Sequence, residues 1–229
     1  MPRIPGLFIT GTGTDVGKTY VGAMIARALA AAGRRVGVYK PAASGCRWEG
    51  GVLVSDDAVT LWEAAGRPGE LDSVCPQRIA APLAPHLAAR AEGTRLDPDR
   101  LRTGIEYWQQ RSEIVLVEGA GGLMSPMGED EYVADLAFDF GFPLIVVARN
   151  ALGTINATLQ TLITAAAFRD GLPLAGVVLN HPAPPDPADA SLATNRAELA
   201  ARCGPPVLAE VAWGARDFDA AVEWFTLAR

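Results

Sequence analysis

The chain has 229 residues, 49% hydrophobic and 20% charged, which supplies enough apolar material for one substantial core and excludes a disordered polymer. Lys and Arg total 20 against 26 Asp and Glu, a net charge of −6 with no long basic run. A nucleic-acid-binding surface is therefore not expected, and any anionic ligand must be held locally. Cys46, Cys75 and Cys203 are too few and too widely spaced for a disulfide framework or a zinc cluster, and they fit a reducing, cytoplasmic compartment. Met1–Gly6 lacks the features of a signal peptide, so export is not expected.

Short apolar runs alternate with helical patterns along the chain. Strands are expected at Leu7–Thr10, Val36–Tyr39, Ile114–Val117, Leu144–Ala148, Ala175–Leu179 and Val207–Val211. The first helix is expected over Gly17–Ala32, with Val21, Met24, Ile25, Ala28, Leu29 and Ala32 on one face, giving a βαβ unit with the first two strands. Further helices are expected at Asp56–Ala65, Pro98–Gln110 with Asp97 as its cap, and Tyr132–Asp139. Three more are expected at Thr154–Phe168, Pro187–Arg202 and Phe218–Leu227. Between Arg67 and Gly93, Pro76, Pro82 and Pro85 leave room for a loop with short elements at most. The uncharged stretch Asn150–Phe168 has membrane-spanning length, but Asn156, Thr158, Gln160, Thr161 and Thr164 make it read as a buried helix and not a membrane segment. The pattern predicts one α/β domain over residues 1–229, a doubly wound, mostly parallel sheet with helices on both faces.

Gly11-Thr12-Gly13-Thr14-Asp15-Val16-Gly17-Lys18-Thr19 joins the first strand to the first helix, where a phosphate-binding P-loop belongs. Converging backbone N–H groups and the helix N-terminus favour an anion there, Lys18 can reach outer phosphates, and Thr19 can ligate Mg2+. The loop is a variant, because Thr12 stands where the strict pattern has glycine. ATP-driven partition and metal-carrier switches have a second lysine at the position of Gly13, and GTPases have Asn-Lys-x-Asp where this chain has Asn180-His181-Pro182-Ala183. Neither reading is favoured.

Other strand ends carry candidate chemistry. Lys40-Pro41-Ala42-Ala43-Ser44 follows the second strand, with Lys40 as a stabiliser of developing negative charge and Ser44 as a donor. Glu118-Gly119-Ala120-Gly121-Gly122 offers a carboxylate for Mg2+ and glycines that expose N–H groups. Asp57 can cap a helix or face the metal, Asn180 can read a base or close a turn, and Gly153-Thr154-Ile155-Asn156 can start a helix or bind a carboxylate.

These motifs, with Pro85-His86 among them and in this order from Leu7 to Trp213, resemble the dethiobiotin synthetase family. The resemblance implies a homodimeric cyclo-ligase that uses ATP and Mg2+ to close the ureido ring of dethiobiotin from 7,8-diaminononanoate and CO2, in biotin synthesis. One amine would become a carbamate whose oxygen attacks the γ-phosphate, and the second amine would displace phosphate from the resulting anhydride. Lys18, Lys40, Thr14 and Ser44 would act on the reacting groups, and Thr19, Asp57 and Glu118 would hold Mg2+. The resemblance assigns Gly13, Thr14, Asp15, Val16, Gly17, Lys18, Thr19, Tyr20, Glu118, Gly119, Gly121 and Asn180 to the nucleotide. It assigns Ser44, Gly121 and Gly153, Thr154, Ile155 and Asn156 to the diamine, the last four receiving its tail carboxylate from the neighbouring subunit. Asp15 replaces a frequent Glu, His181 a frequent Asp, and Ala212 the Pro before Trp213. The alternatives are an amide-forming synthetase like the cobyrinic acid diamide synthases, for whose glutaminase domain the chain has no room, and the partition-type switch.

Overall fold

The computed structural model describes residues 4–229. Its centre is a six-stranded sheet of β1 (Gly6–Gly11), β2 (Val36–Tyr39), β3 (Ile114–Gly122), β4 (Leu144–Arg149), β5 (Leu174–Asn180) and β6 (Val207–Val211). The strand order is β6-β5-β4-β1-β3-β2, and every pairing is parallel. The apolar runs form strands because both faces are covered: every residue of β1 and β2 and the first six of β3 are buried. From β1 the chain goes out to β2 at the edge, returns to β3 between them, and then crosses to the far side of β1. That reversal opens a crevice at the carboxyl ends of the strands.

The helices are α1 (Lys18–Ala31), α2 (Asp56–Ala64), α3 (Pro85–Ala91), α4 (Pro98–Thr103), α5 (Val133–Phe140), α6 (Thr154–Ala167) and α7 (Asn195–Arg202), beside several single turns. Of the face of α1 expected from its spacing, Ala28 and Ala32 are exposed, with Ala23 and Ala26 buried instead, whereas Val21, Met24, Ile25 and Leu29 are in the core. Each such side chain contributes about 1.5–3 kcal/mol by leaving water.

Several expectations are corrected. The helix over Pro98–Gln110 is two pieces, α4 and a turn at Glu106–Gln109. The chain tightens at Gly104–Ile105, where Trp108 N donates to Ile105 O at 3.0 Å, and the indole turns inward to donate to Ser73 O at 3.0 Å. Pro187–Arg202 begins with a 3₁₀ turn at Ala190–Ala193, and Phe218–Leu227 keeps only Trp224–Leu227 as helix. The uncharged helix is not wholly buried: α6 packs Thr154, Thr158, Leu162 and Ala165 inward and leaves Ile163 66% exposed, while Leu152 just before it is 85% exposed. At 14 residues it spans only about 21 Å, and among the described residues no helix is long and apolar enough to cross a membrane.

The proline-rich stretch after Arg67 has a defined job. Gln77–Arg78 pairs in parallel with Ala42–Ala43, Lys40 N donates to Val74 O at 2.8 Å, and Cys46 N donates to Ile79 O at 3.0 Å. These bonds clamp the Lys40–Ser44 segment over the crevice. A small hairpin, Arg47–Glu49 with Val52–Val54, turns at Gly50-Gly51, both at positive φ, and leads into α2.

Candidate active site

The residues from Thr14 to Thr19 wrap the N-terminus of α1, which has no acidic side chain in its first turn to offset its positive end. Gly17 caps the helix at φ 93°, and a Cβ there would come within 2.0 Å of Asn180 Nδ2. Glycine is thus required twice, for its left-handed backbone and for the approach of Asn180. Asp15 also has a positive φ, 56°, a conformation that Asp accepts more readily than most side chains.

In front of this loop lies a cavity of about 450 Å³. Lys18, Thr19, Lys40, Asp57 and Glu118 line it, with Thr14, Asp15, Ser44 and Gly121 around them. Lys18 and Lys40 are the only lysines in the 229 residues, and both are buried here. Lys40 Nζ stands 2.5 Å from Glu118 Oε1 and 2.9 Å from Asp57 Oδ2. Thr19 Oγ1 donates to Glu118 Oε1 at 2.9 Å, and Lys18 Nζ donates to Gly13 O at 3.0 Å. Burial alone would lower the Lys40 pKa, but Glu118 and then Asp57 outweigh it and hold the ammonium above the ordinary lysine value. Burial pushes Lys18 below that value, against the attraction of Glu118. Burial raises Asp57 as well, but Lys40 reverses this and leaves its pKa lowered. Ser55 Oγ caps α2 by accepting from Ala58 N, so Asp57 is free to face the cavity.

A second cavity of about 470 Å³ shares Thr14, Asp15, Ser44, Ala120 and Gly121 with the first and is walled by Pro82, Leu83, Ala84 and Pro85. On the other side of Gly17 is a mostly apolar slot of about 220 Å³ between Tyr20, Asn180, Pro182 and Trp213. Asn180 Nδ2 donates to Val16 O at 2.9 Å, which leaves Asn180 Oδ1 buried without a partner. His181 Nε2 lies 2.7 Å from Glu210 Oε1.

Comparisons with known proteins give the chain a family. A family model described as an AAA domain matches residues 5–216. The ATP-dependent dethiobiotin synthetase BioD of Rhodopirellula baltica is 43% identical over 215 residues, covering 89% of this chain and 82% of its own. That of Anaeromyxobacter dehalogenans (strain 2CP-C) is 45% identical over 208 residues, covering 91% and 90%. The chain belongs to the dethiobiotin synthetase family. It is an ATP-dependent cyclo-ligase of biotin biosynthesis. The fold is shared more widely, with a TM-score of 0.54 to a ParA family ATPase from Chlorobium tepidum TLS, at 16% identity over 91% of this chain and 83% of that one. It is 0.53 to the signal recognition particle receptor FtsY from Elizabethkingia anophelis in complex with GDP, at 13% identity over 99% and 63%.

Against this family background, the structure brings together Thr14, Asp15, Gly17, Lys18, Thr19, Lys40, Ser44, Asp57, Glu118 and Gly121. Tyr20 and Asn180 form the separate slot, and Val16 is buried beneath the loop. Gly119 faces away, since a Cβ on it would meet Val133 at 2.8 Å and Phe8 at 3.2 Å. Gly153, Thr154, Ile155 and Asn156 line none of these cavities. His86 stands 3.5 Å from Glu129 and lines none of them either. Sequence reasoning missed Ser125, whose Oγ accepts from Gly122 N at 3.0 Å beside Gly121. Its only signal was a hydroxyl three residues beyond a glycine pair.

Glu118 tests whether the site suits a divalent cation. Its carboxylate is 1% exposed, Oε1 is held by Thr19 and Lys40, and Oε2 is buried without a hydrogen-bond partner. A hydroxyl and two carboxylates are hard oxygen donors of the type Mg2+ prefers, so the residues present fit it.

Proposed function

We propose that the enzyme uses ATP and Mg2+ to carboxylate 7,8-diaminononanoate with CO2 and close its ureido ring to dethiobiotin. The observation that carries this reading is the convergence of both lysines with Thr19, Asp57 and Glu118 on one buried pocket. Two cations held low in a water-poor cleft stabilise charge that builds up on a carbamate and on a transferring phosphoryl group. Lys18 balances the outer phosphates. Lys40, kept charged by Glu118 and Asp57, faces the carbamate, with Thr14 and Ser44 as hydroxyl donors that orient its oxygens. Mg2+, when bound through Thr19, Asp57 and Glu118, neutralises and orients the phosphates. The cavity walled by Pro82–Pro85 takes the aliphatic part of the diamine, and the slot at Asn180 takes the nucleotide base.

The diamine's tail carboxylate binds at Gly153–Asn156 of a second copy of the chain. Supporting this, Gly153–Asn156 line neither of the two cavities that Thr14 and Ser44 share, and Leu152 just before them and Ile163 on the same helix are exposed apolar side chains. Three free thiols suit a cytoplasmic setting. The direct test is phosphate release from ATP. It should require diamine and bicarbonate together, whereas steady ATP hydrolysis without them would favour the switch-type reading.

A further inference from the structure

Tyr20 sits in the first turn of α1, one residue past Thr19, and is 38% exposed. Its hydroxyl donates to Ala215 O at 2.5 Å, across 195 residues of sequence. Ala215 closes a turn, donating its N–H to Ala212 O at 3.0 Å, with Gly214 at φ 70°. Within that turn stand Trp213 and Gly214, two walls of the base slot, and Trp213 is 55% exposed, so packing holds it weakly. The hydroxyl therefore ties the turn that carries Trp213 and Gly214 to the helix that carries another wall of the slot, Tyr20. Slot width matters because a radial gap of about 0.5–1 Å forfeits about a quarter to a half of the dispersion energy of a stacked contact.

We infer that Tyr20 is a positioning residue for the nucleotide base, its hydroxyl holding the Ala212–Ala215 turn so that Trp213 and Gly214 close on the ring. This rests on the nucleotide reading above. Tyr20→Phe keeps the aromatic wall and deletes only the tether. Its Kd and KM for ATP should rise about threefold to tenfold, the worth of one hydrogen bond, with kcat at saturating ATP unchanged. Inorganic tripolyphosphate, which carries the phosphates and no base, should bind both proteins equally. Because Tyr20 acts through the turn, adding Tyr20→Phe to Trp213→Ala should cost less than the sum of the two single losses.

Equal loss of affinity for ATP and tripolyphosphate would overturn the inference, because Tyr20 would then act on the phosphate loop. Unchanged affinity for both would also overturn it. Failure of ATP itself to bind the wild-type chain would instead break the nucleotide reading, and this inference with it.

Discussion

The charged pocket in front of the P-loop and the apolar slot at Asn180 lie on either side of Gly17 and are built on opposite principles. In the pocket, charged groups are buried and paired: Lys40 is 3% exposed and touches both Glu118 and Asp57. The slot is apolar, partly open and closed by one hydrogen bond from Tyr20. A buried charge left without its partner is expensive, so the pocket tolerates little variation, and its residue types announce the chemistry. The slot selects by shape and by a few polar atoms.

If that contrast holds, substitutions in the pocket should cost most. Lys40→Gln should lower turnover about 10²-fold or more. It should also lower stability in urea by up to about 3–5 kcal/mol, since Glu118 loses its buried cationic partner. Adding Glu118→Gln should recover part of the stability and none of the rate. A folded Lys40→Gln enzyme with near-normal turnover would mean that the pocket's charge is structural.

The proposed carboxylate site sharpens the comparison from outside the pocket. Asn156→Ala should raise the KM for diamine and leave ATP affinity nearly unchanged. Mixed with Lys40→Gln subunits, it should regain activity, because one site of the heterodimer combines intact Lys40 with intact Asn156. If subunits exchange and the mixture is no better than its parents, the site is not shared.

A smaller effect is expected when only the metal's ligand charge is changed. Glu118→Gln should raise the Mg2+ concentration for half-maximal rate, measured at saturating ATP. An unchanged requirement would leave Glu118 as the partner of Lys40 alone. The smallest effect belongs to the slot: Asn180→Ala should alter the relative rates with ATP, CTP and GTP more than it alters the rate of phosphate transfer. Identical ratios before and after would place base selection elsewhere.

Much of this architecture is legible in the sequence because doubly buried strands and a one-faced helix leave unmistakable periodicities. β2 and β6 have the expected limits, and α1 differs by one residue at each end. The P-loop and the strand-end residues Lys40 and Glu118 were legible for a similar reason, since a parallel sheet delivers its strand ends to one crevice. The stretch from Arg67 to Gly93 was not. Its two-residue strand has no period to detect, and its value lies in backbone bonds to Ala43, Lys40 and Cys46, which side-chain identity does not encode. The Gly50-Gly51 hairpin did carry a turn signal, but its strands are three residues each.

What the sequence by itself determined is the order of elements and the kind of chemistry, because hydrophobic period and local motif are properties of neighbouring residues. Only the tertiary structure decided that Lys40 bridges Glu118 and Asp57, that Asn180 turns its amide to Val16, and that Tyr20 reaches Ala215. Each of those contacts joins residues far apart in the chain, apart from the Lys40–Asp57 pair. In each, the partner is set by which strand ends and loops the sheet order places side by side, and no local spacing records that.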